Sequence, residues 1–161
     1  MLKERWFCKQ LDHIKDTMFV LAMSILKNES DVQDAIQNTL MIAYEHLDDL
    51  RFKDKFKPWI LRILKNECYK IVKKREYSLD EETITEESKG LSNEMKMTIW
   101  DYVNSLDEIY RSVIILYYYE GLSIKDIAST LGISSDNVKK RMSRARMFLK
   151  KYMEKGDCYE R

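Results

Sequence analysis

A single proline and four glycines in 161 residues leave this chain almost without turn punctuation. Few backbone breakers mean long elements, and apolar residues recur at helical spacing, so an all-α fold is expected. Cys8, Cys68 and Cys158 are odd in number and far apart. That pattern makes neither a disulfide framework nor a zinc site, so free thiols in a reducing, cytoplasmic setting are expected. His13 and His46 are the only histidines, and both are read as helix-surface residues rather than metal ligands. No glycine loop of the phosphate-cradling kind and no nucleophile–base constellation occurs, so the expectation is a binding protein, not an enzyme, with no cofactor and no metal. No stretch reaches the apolar length of a membrane span, and Met1–His13 carries no signal-peptide pattern, so direct membrane insertion is not expected.

What is present is charge, and it is segregated. The formal net charge is only +1, yet residues 1–50 carry −4, residues 51–75 carry +8, and residues 76–90 carry −5. Residues 123–151 carry eight Lys/Arg against two Asp. Two basic surfaces separated by an acidic connector point to a polyanion held at two places.

The stretch Ser123–Lys151 is the most informative. Ile124, Ile127, Ala128 and Leu131 form one helical stripe, and Ser123 and Asp126 have capping-box spacing. Gly132 sits where the chain must reverse through a left-handed conformation. Ser134 or Ser135 can cap the helix that follows. On that helix Val138, Met142, Ala145, Leu149 and Tyr152 share one side, and Asp136, Lys139, Lys140, Ser143, Arg144 and Met147 share the other. A short helix, a glycine turn and a basic helix make a helix-turn-helix, whose exposed donors Lys139, Lys140 and Arg144 suit base edges and phosphates in a major groove.

Upstream, Leu2–Leu26 reads as a first helix, with Phe7, Leu11, Ile14, Met18, Leu21 and Ile25 inward. A second helix is expected to open on a Ser30–Gln33 capping box, with Val32, Ile36, Leu40, Ala43 and Leu47 inward. Its far side shows Asp34, Gln37, Asn38, Met41 and Glu45; a methionine inside a polar rim suits a protein-binding surface. The loop that follows interleaves Lys/Arg with Phe52 and Phe56, and Pro58 fits the first turn of a third helix. That helix turns Ile60, Leu64, Cys68 and Ile71 inward and Arg62, Lys65, Asn66, Tyr69 and Lys73 outward. Cations beside rings are what single-stranded nucleic acid requires, charge for the backbone and ring faces for unstacked bases. Glu76–Ser92 has no sustained periodicity and reads as a linker. Beyond it, Glu94–Asn104 is amphipathic (Met97, Trp100, Val103), and a Ser105–Glu108 capping box precedes a helix over Ile109–Glu120 whose Val113–Tyr119 run is core.

Four signatures occur in order: Asp31–Gln37 with D-x-x-D-x-x-Q spacing; Phe56-x-x-Trp59-Ile60-x-x-Ile63 followed by Asn66; Gly121-Leu122-Ser123-x-x-Asp126-Ile127-Ala128; and Val138-Lys139-x-Arg141-x-x-Arg144-Ala145-Arg146. Over nearly its whole length the chain resembles a bacterial RNA polymerase sigma factor of the extracytoplasmic-function group, the compact sigma-70 relatives. The resemblance implies two helical domains, region 2 over residues 1–75 and region 4 over 94–155, joined by an acidic linker at 76–93. It implies that Asp31, Asp34, Gln37, Asn38 and Met41 bind core polymerase. It implies that Phe52, Lys53, Phe56, Arg62, Lys65, Asn66 and Lys70 read and help melt the −10 element. Ser135, Asp136, Asn137, Lys139, Lys140, Ser143 and Arg144 would read the −35 element. Where the family often has Gly-Thr, this chain has Asp136-Asn137, an aspartate that repels phosphate or selects a cytosine N4 donor. The implied partners are core RNA polymerase, promoter DNA and a cognate anti-sigma factor, often membrane-anchored, acting in a stress or envelope response. An operator-binding helix-turn-helix regulator is the alternative; it would have no use for the first 75 residues.

Overall fold

The first apolar stripe becomes α1 (Leu2–Leu26), which buries Phe7, Ile14, Met18 and Leu21 and ends where Lys27 turns left-handed at φ 56°. The computed structural model describes residues 1–79 and 98–157. Within them follow α2 (Glu29–Glu45), α3 (Phe56–Leu79), α4 (Ile99–Asn104), α5 (Glu108–Ile114), α6 (Ile124–Leu131) and α7 (Ser135–Asp157), and no strand occurs among the described residues. Helices α1, α2 and α3 pack on one another, and α5, α6 and α7 form a second group against which α4 lies.

Helix starts are where sequence and structure part. Helix α2 begins at Glu29, its cap two residues ahead of the expected Ser30–Gln33 box, because the Asn28 side chain accepts from the Asp31 amide at 3.1 Å. Asparagine at the N-cap serves as well as serine, and the earlier of two competing caps sets the boundary. The expected Ser105–Glu108 box does not form. Ser105 donates instead to the Tyr102 carbonyl at 2.7 Å, and the Glu108 carboxylate accepts from the Tyr69 hydroxyl at 2.8 Å. Asp107 stands at the N-cap of α5 without a side-chain bond. A reciprocal box does form one helix earlier, between Thr98 and Asp101.

Two helices also end differently. Helix α3 runs through Leu79, so residues 76–79, read as linker, are helical; the remainder of that segment, together with Met97 and Cys158, lies outside the described residues. The helix expected over Ile109–Glu120 stops being α-helical at Ile114 and continues as a π segment, Ile115–Tyr119. There the Glu120 amide reaches the Ile115 carbonyl at 3.2 Å and the Leu122 amide reaches Leu116 at 3.0 Å. The wider turn leaves Ile115 and Leu116 buried, exposes Tyr118 and Tyr119, and aims Glu120 at α1.

The helix-turn-helix forms from its local signals. Ser123 caps α6 by accepting from the Asp126 amide at 3.1 Å, and Ser134 caps α7 by accepting from the Asn137 amide at 3.1 Å. Gly132 adopts φ +67°, and the Ile133 amide closes the turn on the Ala128 carbonyl at 3.1 Å. Val138, Met142 and Ala145 are buried beneath it. A Cβ on Gly132 would meet nothing closer than the Lys65 ammonium at 4.0 Å, so a substitution there tests backbone strain without a clash. Gly132→Ala is expected to lower unfolding free energy by about 1–2 kcal/mol, measured by urea denaturation followed at 222 nm; an unchanged midpoint would remove the left-handed turn from the account.

Candidate nucleic-acid interface

Three surfaces were expected, and each is carried by a different helix. On α7, Asp136, Asn137, Lys139, Lys140, Ser143 and Arg144 are exposed and Ser135 is half-buried. The buried stripe of Val138, Met142 and Ala145 fixes that orientation. Lys139 lies 4.0 Å from Asp136 one turn earlier, with both side chains in solvent. An ion pair so exposed holds its partners weakly, which leaves the lysine available to a phosphate.

The second surface is the loop before α3 and the outer side of that helix. Phe52 is 67% exposed and Lys53 lies beside it. The Lys53 ammonium stands 5.3 Å from the Trp6 ring centroid, so α1 contributes an aromatic to this surface. Arg62, Asn66 and Lys70 are exposed, and Lys70 also reaches the buried Glu67 carboxylate at 2.6 Å.

Phe56 corrects the expected base-stacking set. Its ring is 1% exposed and meets Trp6 edge-on at 5.3 Å and Phe7 at 5.9 Å. Alternation of lysines and rings cannot distinguish two phenylalanines four residues apart; the one that begins a helix is carried into the core. Lys65 and Tyr69 also differ from the open face expected of them. Lys65 is half-buried and donates to the Leu131 carbonyl at 3.1 Å. Burial, and then the nearby Arg62 charge, pull its pKa below the ordinary lysine value. Burial first, and the hydrogen bond to Glu108 second, hold the Tyr69 phenol well above its ordinary range.

The third surface lies on α2. Asp34, Gln37, Asn38 and Met41 are exposed, Met41 by 64%. Asp31 is half-buried and ion-paired with Arg75 of α3. Asp31, Asp34, Gln37 and Asn38 share a groove of about 770 Å³ with Lys70, Lys74 and Arg75 of α3. One concavity thus joins two residue sets that were expected to act separately.

Several site-forming residues went unseen in the sequence. Arg111 and Glu120, each in an apolar stretch, join the two helical groups, as do Thr17 and Ser24 of α1. An apolar groove of about 640 Å³ also opens among Trp100, Val103, Ile115, Tyr119, Leu149 and Met153. Ile115 and Tyr119 of its wall belong to the π segment, and helical periodicity does not foresee such a turn. No group of three or more His, Cys, Asp or Glu is placed to hold a metal among the described residues. No helix of the described residues is long and apolar enough to cross a membrane.

The comparisons fit this layout. Residues 12–77 match the family described as Sigma-70 region 2, and residues 96–149 match Sigma-70, region 4. RNA polymerase sigma factor SigV of Bacillus subtilis is 31% identical over 151 residues, covering 91% of this chain and 89% of its own. ECF RNA polymerase sigma factor SigW of the same organism is 28% identical, covering 91% and 88%. Among solved structures, the sigma factor RpoE in complex with the anti-sigma factor NepR, from Bartonella quintana, superposes with a TM-score of 0.74 at 26% identity, over 92% of this chain and 96% of that one. CnrH in complex with the cytosolic domain of CnrY gives 0.66 at 25% identity, over 94% and 89%.

The two phenylalanines supply a test. Phe56→Ala is expected to cost about 3–5 kcal/mol of stability, as for other buried aromatics. Phe52→Ala should stay within about 0.5 kcal/mol while weakening binding to a single-stranded oligonucleotide. Thermal unfolding and fluorescence anisotropy read the two effects; equal destabilisation by both would reverse the assignment.

Proposed function

The chain belongs to the extracytoplasmic-function group of the sigma-70 family of RNA polymerase sigma factors, and we propose the following division of labour over its surfaces. The protein binds core RNA polymerase and directs promoter-specific initiation; polymerase supplies the chemistry and this chain supplies the sequence reading. The observation that carries this is one chain presenting two basic faces of different kinds. The α7 face is a helix-turn-helix shaped for a duplex, and the α3 face is a loop with an exposed ring shaped for an opened strand.

Ser135, Asp136, Asn137, Lys139, Lys140, Ser143 and Arg144 read the −35 element in the major groove. Phe52, Lys53, Arg62, Lys65, Asn66 and Lys70 read the −10 element as single strand, with Phe56 beneath them as support. Melting needs no fuel: unstacking costs a few kcal/mol per base and is offset when the extruded base is bound. Asp31, Asp34, Gln37, Asn38 and Met41 form the polymerase-binding patch, an exposed methionine within a polar rim. Residues 1–75 and 94–155 act as region 2 and region 4, with 76–93 connecting them. The protein works in the cytoplasm, where polymerase and promoter are. A cognate anti-sigma factor, membrane-anchored in the simplest arrangement, holds it inactive; two relatives of known structure are described with such a partner or with the cytosolic domain of another protein.

Run-off transcription with bacterial core polymerase on a promoter library tests the reading. New start sites sharing a −35/−10 pair are expected. Tight duplex binding without polymerase and without new transcripts would instead favour an operator-binding regulator. Within a positive result, Lys139→Ala or Arg144→Ala should weaken −35-dependent initiation by about 1–3 kcal/mol; equal loss on scrambled −35 sequences would reduce both to phosphate contacts. Asp34→Lys combined with Asn38→Lys should abolish association with core polymerase while leaving the helical melt unchanged, and retained association would move the patch elsewhere.

A further inference from the structure

The π segment Ile115–Tyr119 leads to Glu120 at the seam between the two helical groups, and it also lines the apolar groove of about 640 Å³. Turns of this kind are uncommon and recur at functional sites. The groove is a slot. Its floor, Val103, Ile114 and Ile115, is at most 6% exposed, whereas Trp100, Tyr119 and Met153 at its lip are 40 to 45% exposed. The Trp100 ring meets Tyr119 edge-on at 5.6 Å, so that lip is already formed. Charge is confined to the α7 wall, where Arg146, Lys150 and Glu154 follow one another at four-residue steps. Lys150 and Glu154 lie 3.9 Å apart and offset each other, which leaves the Arg146 guanidinium as the net charge of the lining. Its Nε donates to the Tyr118 hydroxyl at 2.9 Å, and it stands 5.8 Å from that ring's centroid. A guanidinium steadied through Nε presents its η nitrogens as a planar fork, the shape that suits a carboxylate.

We propose that this slot binds a small amphipathic carboxylate, its aliphatic chain lying over Val103 and Ile115 and its carboxylate on the Arg146 guanidinium. Volume, polarity and length each point to that class. The cavity falls in the range of small-molecule sites, which are mostly apolar with a few polar groups that set orientation. The polarity is one-sided, because the net cation stands at the Arg146 end and Met153 lies two turns further along α7. From Arg146 to Glu154 the wall runs about 12 Å at 1.5 Å per residue. A staggered chain of about ten carbons, with bonds of roughly 1.5 Å, spans the same distance. A docked α-helix, about 10–12 Å across with its side chains, would rest on the lips, whereas a methylene chain reaches the floor. None of the lining residues belongs to the surfaces proposed for promoter or polymerase, so the site does not depend on those assignments.

Sodium decanoate, kept below its micelle-forming concentration, is the probe. Isothermal titration of the full-length protein should show one saturable site. 1-Decanol should bind about tenfold more weakly, because it cannot make charge-assisted hydrogen bonds to the guanidinium. Arg146→Gln should weaken decanoate by about tenfold and leave decanol unchanged. Met153→Glu, which places a charge at the apolar end, should weaken both. Both side chains are exposed, so circular dichroism should show unchanged helical content, and the comparison of decanoate with decanol in the unmodified protein serves if either variant fails to fold. Trp100 reports the location: decanoate should shift its emission to the blue, and Trp100→Phe should remove that shift from the background of Trp6 and Trp59. No saturable binding, decanol as tight as decanoate, or an Arg146→Gln variant with undiminished affinity would each overturn the proposal. A blue shift of Trp100 with core polymerase and none with decanoate would give the groove to a polymerase segment and overturn it as well.

Discussion

A buried carboxylate needs partners, and Glu120 finds both of its partners in the other half of the chain. Thr17 and Lys57 come from the N-terminal helices, whereas Glu120 closes the π segment of the C-terminal ones. Arg111 mirrors it, a guanidinium buried among apolar side chains whose η nitrogens end on the carbonyls of Asn104 and Ser24. Burial lowers the Arg111 pKa from its ordinary value, although Glu108 and Asp107 oppose the shift. Neither group could sit at this depth unless the two halves met, since a buried charge without its partners costs several kcal/mol. Packing alone would tolerate many relative placements of two small helical groups. These directional bonds select one.

The same constraint explains which interactions deserve weight. The Lys3–Asp48, Lys15–Asp12 and Lys139–Asp136 pairs are exposed on both sides and contribute little individually. Lys55–Asp126 is intermediate: Asp126, its largest influence, raises the Lys55 pKa, yet half of the lysine side chain stays in solvent. Salt therefore weakens the rim of the seam before its centre. The near-neutral total charge belongs to the same arrangement. Within the strongly basic residues 51–75, Lys55 and Lys57 are paired by Asp126 and Glu120 of the C-terminal half.

How much could be read beforehand depended on the range of the interaction. The helix-turn-helix was legible because all its determinants are local: Ser123, Gly132, Ser134 and the stripe of Val138, Met142 and Ala145 act within a few residues of one another. Helix identity in α1 to α3 was legible for the same reason, and their buried faces followed from periodicity. Boundaries were less so, because Asn28 and Ser30 both make good caps and composition does not say which will be used. The orientation of α7 likewise followed from its buried stripe. The fate of Phe56 did not, since a ring among lysines looks the same whether it meets a base or meets Trp6 and Phe7.

The seam was invisible for a stronger reason. Thr17, Ser24, Arg111 and Glu120 are ordinary residues in helices whose patterns account for them without any distant partner. Their bonds span 87 and 103 residues of sequence for Arg111–Ser24 and Thr17–Glu120, and no periodicity reaches so far. Glu120 is turned toward α1 only because the backbone widens over Ile115–Tyr119, a feature with no reliable sequence signal. One extra residue in the hydrogen-bonded turn thus decides where a carboxylate points. That direction in turn decides whether Lys57 meets an acceptor within its own chain. Local rules built the two readers; one irregular turn sets how they are held together.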